Sequence, residues 1–184
     1  MQLEVAHDLA DRLLSELPDR WAHSQRVLAQ AKLLAPDLGA RGAPLMVSAV
    51  LHDVGYAPSA VDTGQHMIDG ARYLARLGWP PLVCSLVAYH SSSEWEAAEL
   101  GLSRDLAEFE RPPSDLLDAI TFCDLTSGPD GALVDATGRL DEVLCRYAPG
   151  HVVHRAVAAA RPTLLAMVER VELGLAPRPG GYPM

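Results

Sequence analysis

The sequence is poor in cysteine, aromatic residues and basic charge, and it lacks long uncharged apolar runs. Its three cysteines, Cys84, Cys123 and Cys145, are odd in number and form no CxxC pair. We therefore predict buried, reduced thiols rather than disulfides or a thiolate metal site. Because no run reaches the roughly 18 apolar residues that a membrane-spanning helix needs, we expect no membrane partner.

Basic residues are outnumbered by acidic ones. The chain has 15 Lys and Arg against 24 Asp and Glu, a formal net charge of −9. With no broad basic surface, we expect no nucleic-acid polymer as partner. A small anionic substrate is still accommodated if a bound dication dominates the local field. The acidic N-terminal residues lack the basic-then-apolar pattern of a signal peptide, which predicts a cytoplasmic location.

Apolar residues recur at intervals of three and four along nearly the whole chain, and no stretch alternates as a strand would. This pattern predicts an all-α protein with helices at about 4–16, 20–35, 43–53, 66–77, 80–90, 93–108, 114–126, 135–147 and 151–174. We expect a break near Leu102, and Pro162 should divide the last region or start a fresh helix. The length of 184 residues fits one domain, placed at 1–175, with a flexible C-terminal tail over 176–184.

Several histidines and aspartates share predicted helix faces with apolar residues. They lie three, four or seven positions from apolar neighbours, and they are His23, His52, Asp53, His90 and Asp124. A hydrogen bond in the core would explain any one of them alone. Together they would cost several kcal/mol unless paired or coordinated, and no lysine or arginine lies on the same faces. A divalent cation satisfies carboxylates and neutral imidazoles together, so the set predicts a shared metal site.

The order of these residues resembles the signature of the HD superfamily, which is a histidine, a His–Asp doublet and a distant aspartate. Here they are His23 in WAHSQRVLAQA, His52–Asp53 in AVLHDVGY and Asp124 in ITFCDLT. The resemblance covers about residues 20–127. It implies an HD-domain helical bundle of about seven to nine helices and a metal-dependent phosphohydrolase.

Two further histidines, His66 in HMIDGARYL and His90 in LVAYHSS, resemble the extra ligands of dinuclear HD proteins. Gly70, four residues after His66, would let that helix approach its neighbour closely. The resemblance implies one metal held by His23, His52, Asp53 and Asp124. It implies another held by His66 and His90, with Asp53 bridging. One or two divalent ions are expected; the ligand set suits Fe or Mn, with Zn, Co, Ni or Mg as alternatives.

The same resemblance implies hydrolysis of a small phosphate ester, nucleotide or dinucleotide by a metal-activated water. Asp53 would position the water, and Asp124 would orient it or accept its proton. Arg26, one turn after His23, is the first candidate for a phosphate clamp, with a surface salt bridge as the equal alternative. Arg72 is the second candidate.

Two other functions are open to the same residues. HD-type mixed-valent di-iron oxygenases share the ligand order, and their reaction requires oxygen whereas hydrolysis does not. A non-catalytic metal- or nucleotide-binding module is the third alternative. The main argument against it is that every ligand position is filled, whereas a degenerate module would be expected to have lost some. Glu94, Glu96 and Glu99 are interpreted as a solvated helix face. Trp79 or Trp95, if exposed, would suit a homodimer interface.

Overall fold

The structure is a computed structural model that describes residues 2–175. This part of the chain is all-α, as predicted, apart from one isolated β-bridge between Ser127 and Leu133. Its ten α-helices are α1 Gln2–Leu14, α2 Pro18–Leu34, α3 Gly42–Leu51, α4 His66–Arg76, α5 Pro81–Tyr89, α6 Ser93–Leu100, α7 Ser103–Leu106, α8 Ser114–Leu125, α9 Ala136–Arg146 and α10 Val152–Leu175. Short 3-10 helices occupy Gly39–Arg41 and Val54–Tyr56. The tail predicted at 176–184 lies outside the described residues.

Helix α3 is central to the bundle and packs against α1, α2, α5 and α8. Its side chains are apolar on all sides apart from the buried Ser48, and Leu45, Val47, Val50 and Leu51 are each 2% exposed or less. A helix that is apolar all round is a buried helix. The residues that follow its C-terminal end therefore emerge inside the bundle rather than at its surface.

The prediction that Pro162 divides the last helix is wrong, because α10 continues through it. Proline removes one backbone hydrogen bond and crowds the preceding turn. On either side of it, Ala160 and Leu164 are fully or almost fully buried. Helix α10 packs along α6, α8 and α9, and these contacts stabilise both halves of one continuous helix. The predicted break near Leu102 is confirmed, since it separates α6 from α7.

Helix α4 lies unusually close to the 3-10 helix at Val54–Tyr56. A β-carbon built on Gly55 would lie 1.9 Å from the carbonyl oxygen of His66, and one on Gly70 would lie 3.0 Å from the amide nitrogen of Gly55. Neither position has room for a side chain without movement of the backbone. The close approach predicted for Gly70 is thus confirmed, and Gly55 is its partner.

The cysteine prediction is right for two positions and wrong for the third. Cys84 and Cys123 are free and buried, whereas Cys145 is free and exposed on α9. Helix α9 buries only Ala136 and Leu140, while Val143 and Leu144 in its second half are partly buried against the core, and Cys145 lies on its exposed side. Trp79 and Trp95 are half-buried against the core. None of the helices in the described range has the length and apolarity that a membrane crossing requires.

Candidate metal centre

Four histidine side chains from four helical segments meet inside the bundle. His23 belongs to α2, His52 follows α3, His66 begins α4 and His90 follows α5. The ring centroids are 5.1 Å apart for His23 and His52, 5.0 Å for His52 and His90, and 5.3 Å for His66 and His90. The rings thus form one continuous cluster, in which only His66 is more than slightly exposed.

Except for His23, which lies within α2, these side chains project from helix ends, which corrects two predicted boundaries. Helix α3 ends at Leu51, so that His52 caps it and Asp53 begins the next 3-10 turn. Helix α5 ends at Tyr89, and His90 is already extended, with ψ 148°. Asp124 lies in the last turn of α8. Three helix C-termini therefore meet at the cluster, and their partial negative charge favours a cation there.

The hydrogen bonds of three histidines fix which ring nitrogen faces the centre. The Nδ1 atoms of His23, His52 and His90 lie 3.1, 2.8 and 2.7 Å from the carbonyl oxygens of Gly128, Ala49 and Val87. A carbonyl only accepts, so each Nδ1 donates a proton and each neutral ring keeps a lone pair on Nε2. This backbone anchoring of one nitrogen, with the other free, is typical of histidines that bind metals.

The Nε2 atom of His52 is an unsatisfied acceptor in the interior. The residue is fully buried, and this atom has no hydrogen-bond partner among the described residues. Burial lowers the pKa of the imidazole to about 4, so the ring is neutral at pH 7. Leaving such an atom unpaired costs about 1–3 kcal/mol. A neutral imidazole with an inward lone pair is the form that coordinates a cation.

Two overlapping groups of ligand atoms surround that nitrogen. One consists of His23, His52 and Asp124, and the other of His52, Asp53 and His90; within each group the atoms lie within 4.8 Å of one another. Both groups share His52, whose Nε2 has one lone pair and serves one ion. The donor set and the orphaned nitrogen therefore fit a divalent cation.

Asp53 lies between two of the histidines. Its Oδ1 is 3.5 Å from Nε2 of His52 and 3.4 Å from Nε2 of His66, and its Oδ2 accepts a hydrogen bond of 3.2 Å from Nη1 of Arg20. Burial opposes ionisation, but His52, Arg20 and His66 outweigh it and hold the pKa of the carboxyl well below its usual value. Since burial also lowers the pKa of His66 to about 3, Arg20 is the permanent charge that keeps Asp53 ionised.

Asp124 is held on both oxygens. Its Oδ1 lies 3.0 Å from Nε2 of His23, and its Oδ2 accepts a hydrogen bond from Oγ of Ser91. Ser91 has a positive φ of 51°, a conformation that non-glycine residues seldom adopt outside functional or constrained sites. Nε2 of a neutral His23 and a carboxylate are both acceptors, so this contact needs a proton or a cation between them. Although burial opposes it, the Asp124 hydrogen bond raises the pKa of His23.

Arg20 and Tyr56 were not predicted as site residues. The guanidinium of Arg20 lies 3.9 Å from the centre of the Tyr56 ring, and that ring stacks on His66 with centroids 4.1 Å apart. Tyr56 is thus sandwiched between the cation that holds Asp53 and a histidine of the cluster. Arg20 lies three residues before His23 on the same face of α2, so the expectation that no arginine shares the face of a cluster residue is wrong. Nothing in the sequence marked Tyr56.

The predicted phosphate clamps lie elsewhere. Nε of Arg26 donates to the carbonyl of Gly131 at 2.7 Å, and Arg26 does not line the cleft above the cluster. Arg72 pairs with three carboxylates, those of Asp62, Asp105 and Glu108.

Glu96 is not on a solvated helix face as predicted. It is 8% exposed, lines the cleft and accepts a hydrogen bond of 2.6 Å from Oγ of Ser92. Burial raises the pKa of its carboxyl. Glu94 and Glu99, by contrast, form exposed ion pairs with Arg111 and Arg155.

The cleft above the cluster is small. Its volume is about 120 Å³, against the roughly 300–1,000 Å³ of pockets that enclose whole ligands. It is lined by His23, Asp53 and Asp124 of the cluster, and by Arg139, Arg146 and Tyr147 from α9 and the residue that follows it. A space of this size holds a group such as a phosphoryl, and the rest of any larger molecule would lie outside it.

Comparison with known proteins agrees with this geometry. The model of the HD domain family matches residues 20–127, more than half of the chain, and the chain therefore belongs to the HD domain family. Members of this superfamily are mainly metal-dependent phosphohydrolases, as the HD signature implied.

One curated relative is Ribonuclease Y from Opitutus terrae, which is 30% identical over 110 residues. The match covers 55% of this chain and 21% of that protein, so the chain spans about a fifth of the relative's length. No solved structure matches the chain significantly.

Proposed function

We propose that the chain is a metal-dependent phosphohydrolase that cleaves a small phosphate ester, nucleotide or dinucleotide. The observation that carries this proposal is Nε2 of His52, a buried and unpartnered lone pair grouped with the buried Asp53, the half-buried Asp124, His23 and His90. The small cleft above it suits a phosphoryl group. The proposal includes one domain over residues 1–175.

For the ligands we propose the assignment that the HD resemblance implied. His23, His52, Asp53 and Asp124 would hold one ion, and His66, His90 and Asp53 would hold a second; the position of Asp53 between Nε2 of His52 and Nε2 of His66 supports its sharing by both. When bound there, Fe or Mn would supply an activated water and would neutralise charge on the phosphoryl oxygens.

The protein's own residues position the substrate and move the proton. Asp124, oriented by Ser91, accepts the proton of the attacking water. Arg20 uses one N–H to fix Asp53, and its other donors have no hydrogen-bond partner among the described residues and line the cleft. We therefore give Arg20, rather than Arg26, the role of binding the phosphoryl oxygens.

Replacing Arg20 or Arg26 with glutamine tests which of the two arginines binds the phosphoryl oxygens. We expect Arg20→Gln to lower kcat/KM for phosphate release by about 10- to 100-fold while bound metal is retained, because a charge-assisted hydrogen bond contributes about 1.5–3 kcal/mol. Arg26→Gln, which loses only the contact with Gly131, should change thermal stability more than KM. The reverse ranking of the two variants would restore Arg26 as the clamp.

The reaction itself is tested by metal analysis of the purified protein followed by a phosphate-release screen. We expect one or two equivalents of Fe or Mn. Activity should be lost on chelation, restored by either metal and unchanged without oxygen, since hydrolysis consumes none. Oxygen-dependent turnover would support the di-iron oxygenase instead. An RNA oligonucleotide belongs in the screen because of the Ribonuclease Y relative; the net charge of −9 predicts no cleavage of it.

A further inference from the structure

We propose that Arg139 and Arg146 on α9 form a second anion site at the mouth of the cleft, which selects substrates carrying another phosphate besides the one hydrolysed. The ligand class is a bisphosphate or a phosphoanhydride chain. This inference rests on the proposed function, because it concerns what the same cleft accepts.

Both arginines face the cleft from one side of one helix. They are seven residues apart, so they share a face of α9 and are separated by about 10 Å along its axis. Both line the cleft that Asp53 and Asp124 also line. The side chain of Arg139 is 10% exposed and that of Arg146 is 38% exposed. Arg139 is therefore the deeper of the two, and Arg146 lies nearer the solvent.

Glu142 holds the two guanidiniums in place without neutralising both. Nη1 of Arg139 donates to one of its oxygens, and Nε of Arg146 donates to the other at 2.9 Å. One carboxylate between two guanidiniums leaves a net positive charge. Nε and Nη2 of Arg139 have no hydrogen-bond partner among the described residues. The pair is thus pre-positioned, which reduces the entropy lost when an anion binds.

Pairs of this spacing are common on solvated helices, so the cleft is what distinguishes this one. Arg161 on α10 pairs with Asp141 at 2.6 Å and does not line the cleft. Arg20, Arg139 and Arg146 all do, in a chain with a net charge of −9. The carboxylates of Asp53, Asp124 and Glu96 line the cleft as well. Arg20 pairs with Asp53, whereas Arg139 and Arg146 pair with Glu142, which is not among the lining residues.

Because the cleft is small, Arg20 and the pair Arg139 and Arg146 would contact different parts of the substrate. A volume of about 120 Å³ accepts the scissile phosphoryl group beside Arg20, and the remainder of the molecule lies against the end of α9. A second phosphate on that remainder meets Arg139 and Arg146. A substrate whose leaving group is uncharged would gain no binding energy from these two arginines.

Calorimetric titration of the metal-loaded protein tests this, with a phosphate assay after each titration to show whether the probe was hydrolysed. The probes are inorganic phosphate, pyrophosphate and fructose 1,6-bisphosphate, and the variant is Arg139→Gln/Arg146→Gln. We expect its affinity for at least one of the two-phosphate probes to fall about 10- to 100-fold, with phosphate affinity within about twofold of wild type. Loss for pyrophosphate identifies an anhydride chain, and loss for the sugar bisphosphate identifies separated phosphates. Arg161→Gln is the matched control and should match wild type.

Two results would overturn the proposal: unchanged binding of both two-phosphate probes, or an equal loss for all three anions, which would mean general electrostatic attraction. Metal content and thermal unfolding of each variant check that the cluster and fold are intact. If the proposed function fails instead, no substrate is hydrolysed by wild type, but the titrations still report whether α9 distinguishes one phosphate from two.

Discussion

Replacing His52 with alanine is expected to remove most of the bound metal and to lower phosphate release by about 100-fold or more. The reason is geometric. His52 belongs to both groups of three residues whose ligand atoms lie within 4.8 Å of one another. Without it, each group keeps only two ligands. His66→Ala should have a smaller effect on metal content, to about half, because Nε2 of His66 lies near Asp53 at the proposed second position. Elemental analysis of the purified variants measures both effects.

The matched control is His154→Ala, which removes a half-buried histidine of α10 outside the cluster. It should bind metal as wild type does. Unchanged metal content in both His52→Ala and His66→Ala would contradict the ligand assignment. Circular dichroism would check that the variants remain helical, since emptying a fully buried position also creates a cavity.

The cluster could be foreseen because its residue types conflict with their surroundings. His23, His52 and Asp124 lie on apolar faces, and helical periodicity alone was enough to turn them inward. What periodicity cannot supply is where a helix stops. His52 and His90 extend the apolar spacing of α3 and α5, yet both lie just beyond the last helical residue. His90 already has an extended backbone whereas His52 keeps helical angles, and each ring contacts a carbonyl three residues earlier.

The sequence could not show which arginine of α2 lines the cleft, for a related reason. Arg20 and Arg26 are each three residues from His23, one on either side, so both lie on its face of α2. Only the packing of α2 across α3 decides which turn of the helix lies over Asp53. Glu96 is a similar case: its segment is rich in charge, but α10 covers α6, and Ser92 satisfies the carboxylate inside. Neither the packing of α2 across α3 nor the covering of α6 by α10 can be read from the local sequence.

Gly55→Ala is expected to be the most damaging single-methyl substitution in the protein. The added carbon would lie 1.9 Å from the carbonyl oxygen of His66 and 2.7 Å from the amide nitrogen of Gly70. Both are backbone atoms, so relief requires α4 to move away from the turn that follows Asp53. Overpacking of a well-packed interior costs about 1–3 kcal/mol, and a clash with backbone should exceed that range.

The displacement should also reach the metal centre, because His66 is the first residue of α4 and Asp53 precedes the 3-10 turn containing Gly55. We therefore expect Gly55→Ala to lower the thermal midpoint and to reduce metal content toward that of His66→Ala. Gly70→Ala, whose added carbon would lie 3.0 Å from the nitrogen of Gly55, should show a milder form of both effects and remain measurable if Gly55→Ala fails to fold. Gly150→Ala, with nothing within 4 Å of the added carbon, is the control. A Gly55→Ala protein with wild-type stability and full metal content would mean that α4 does not depend on this contact to bring His66 to Asp53.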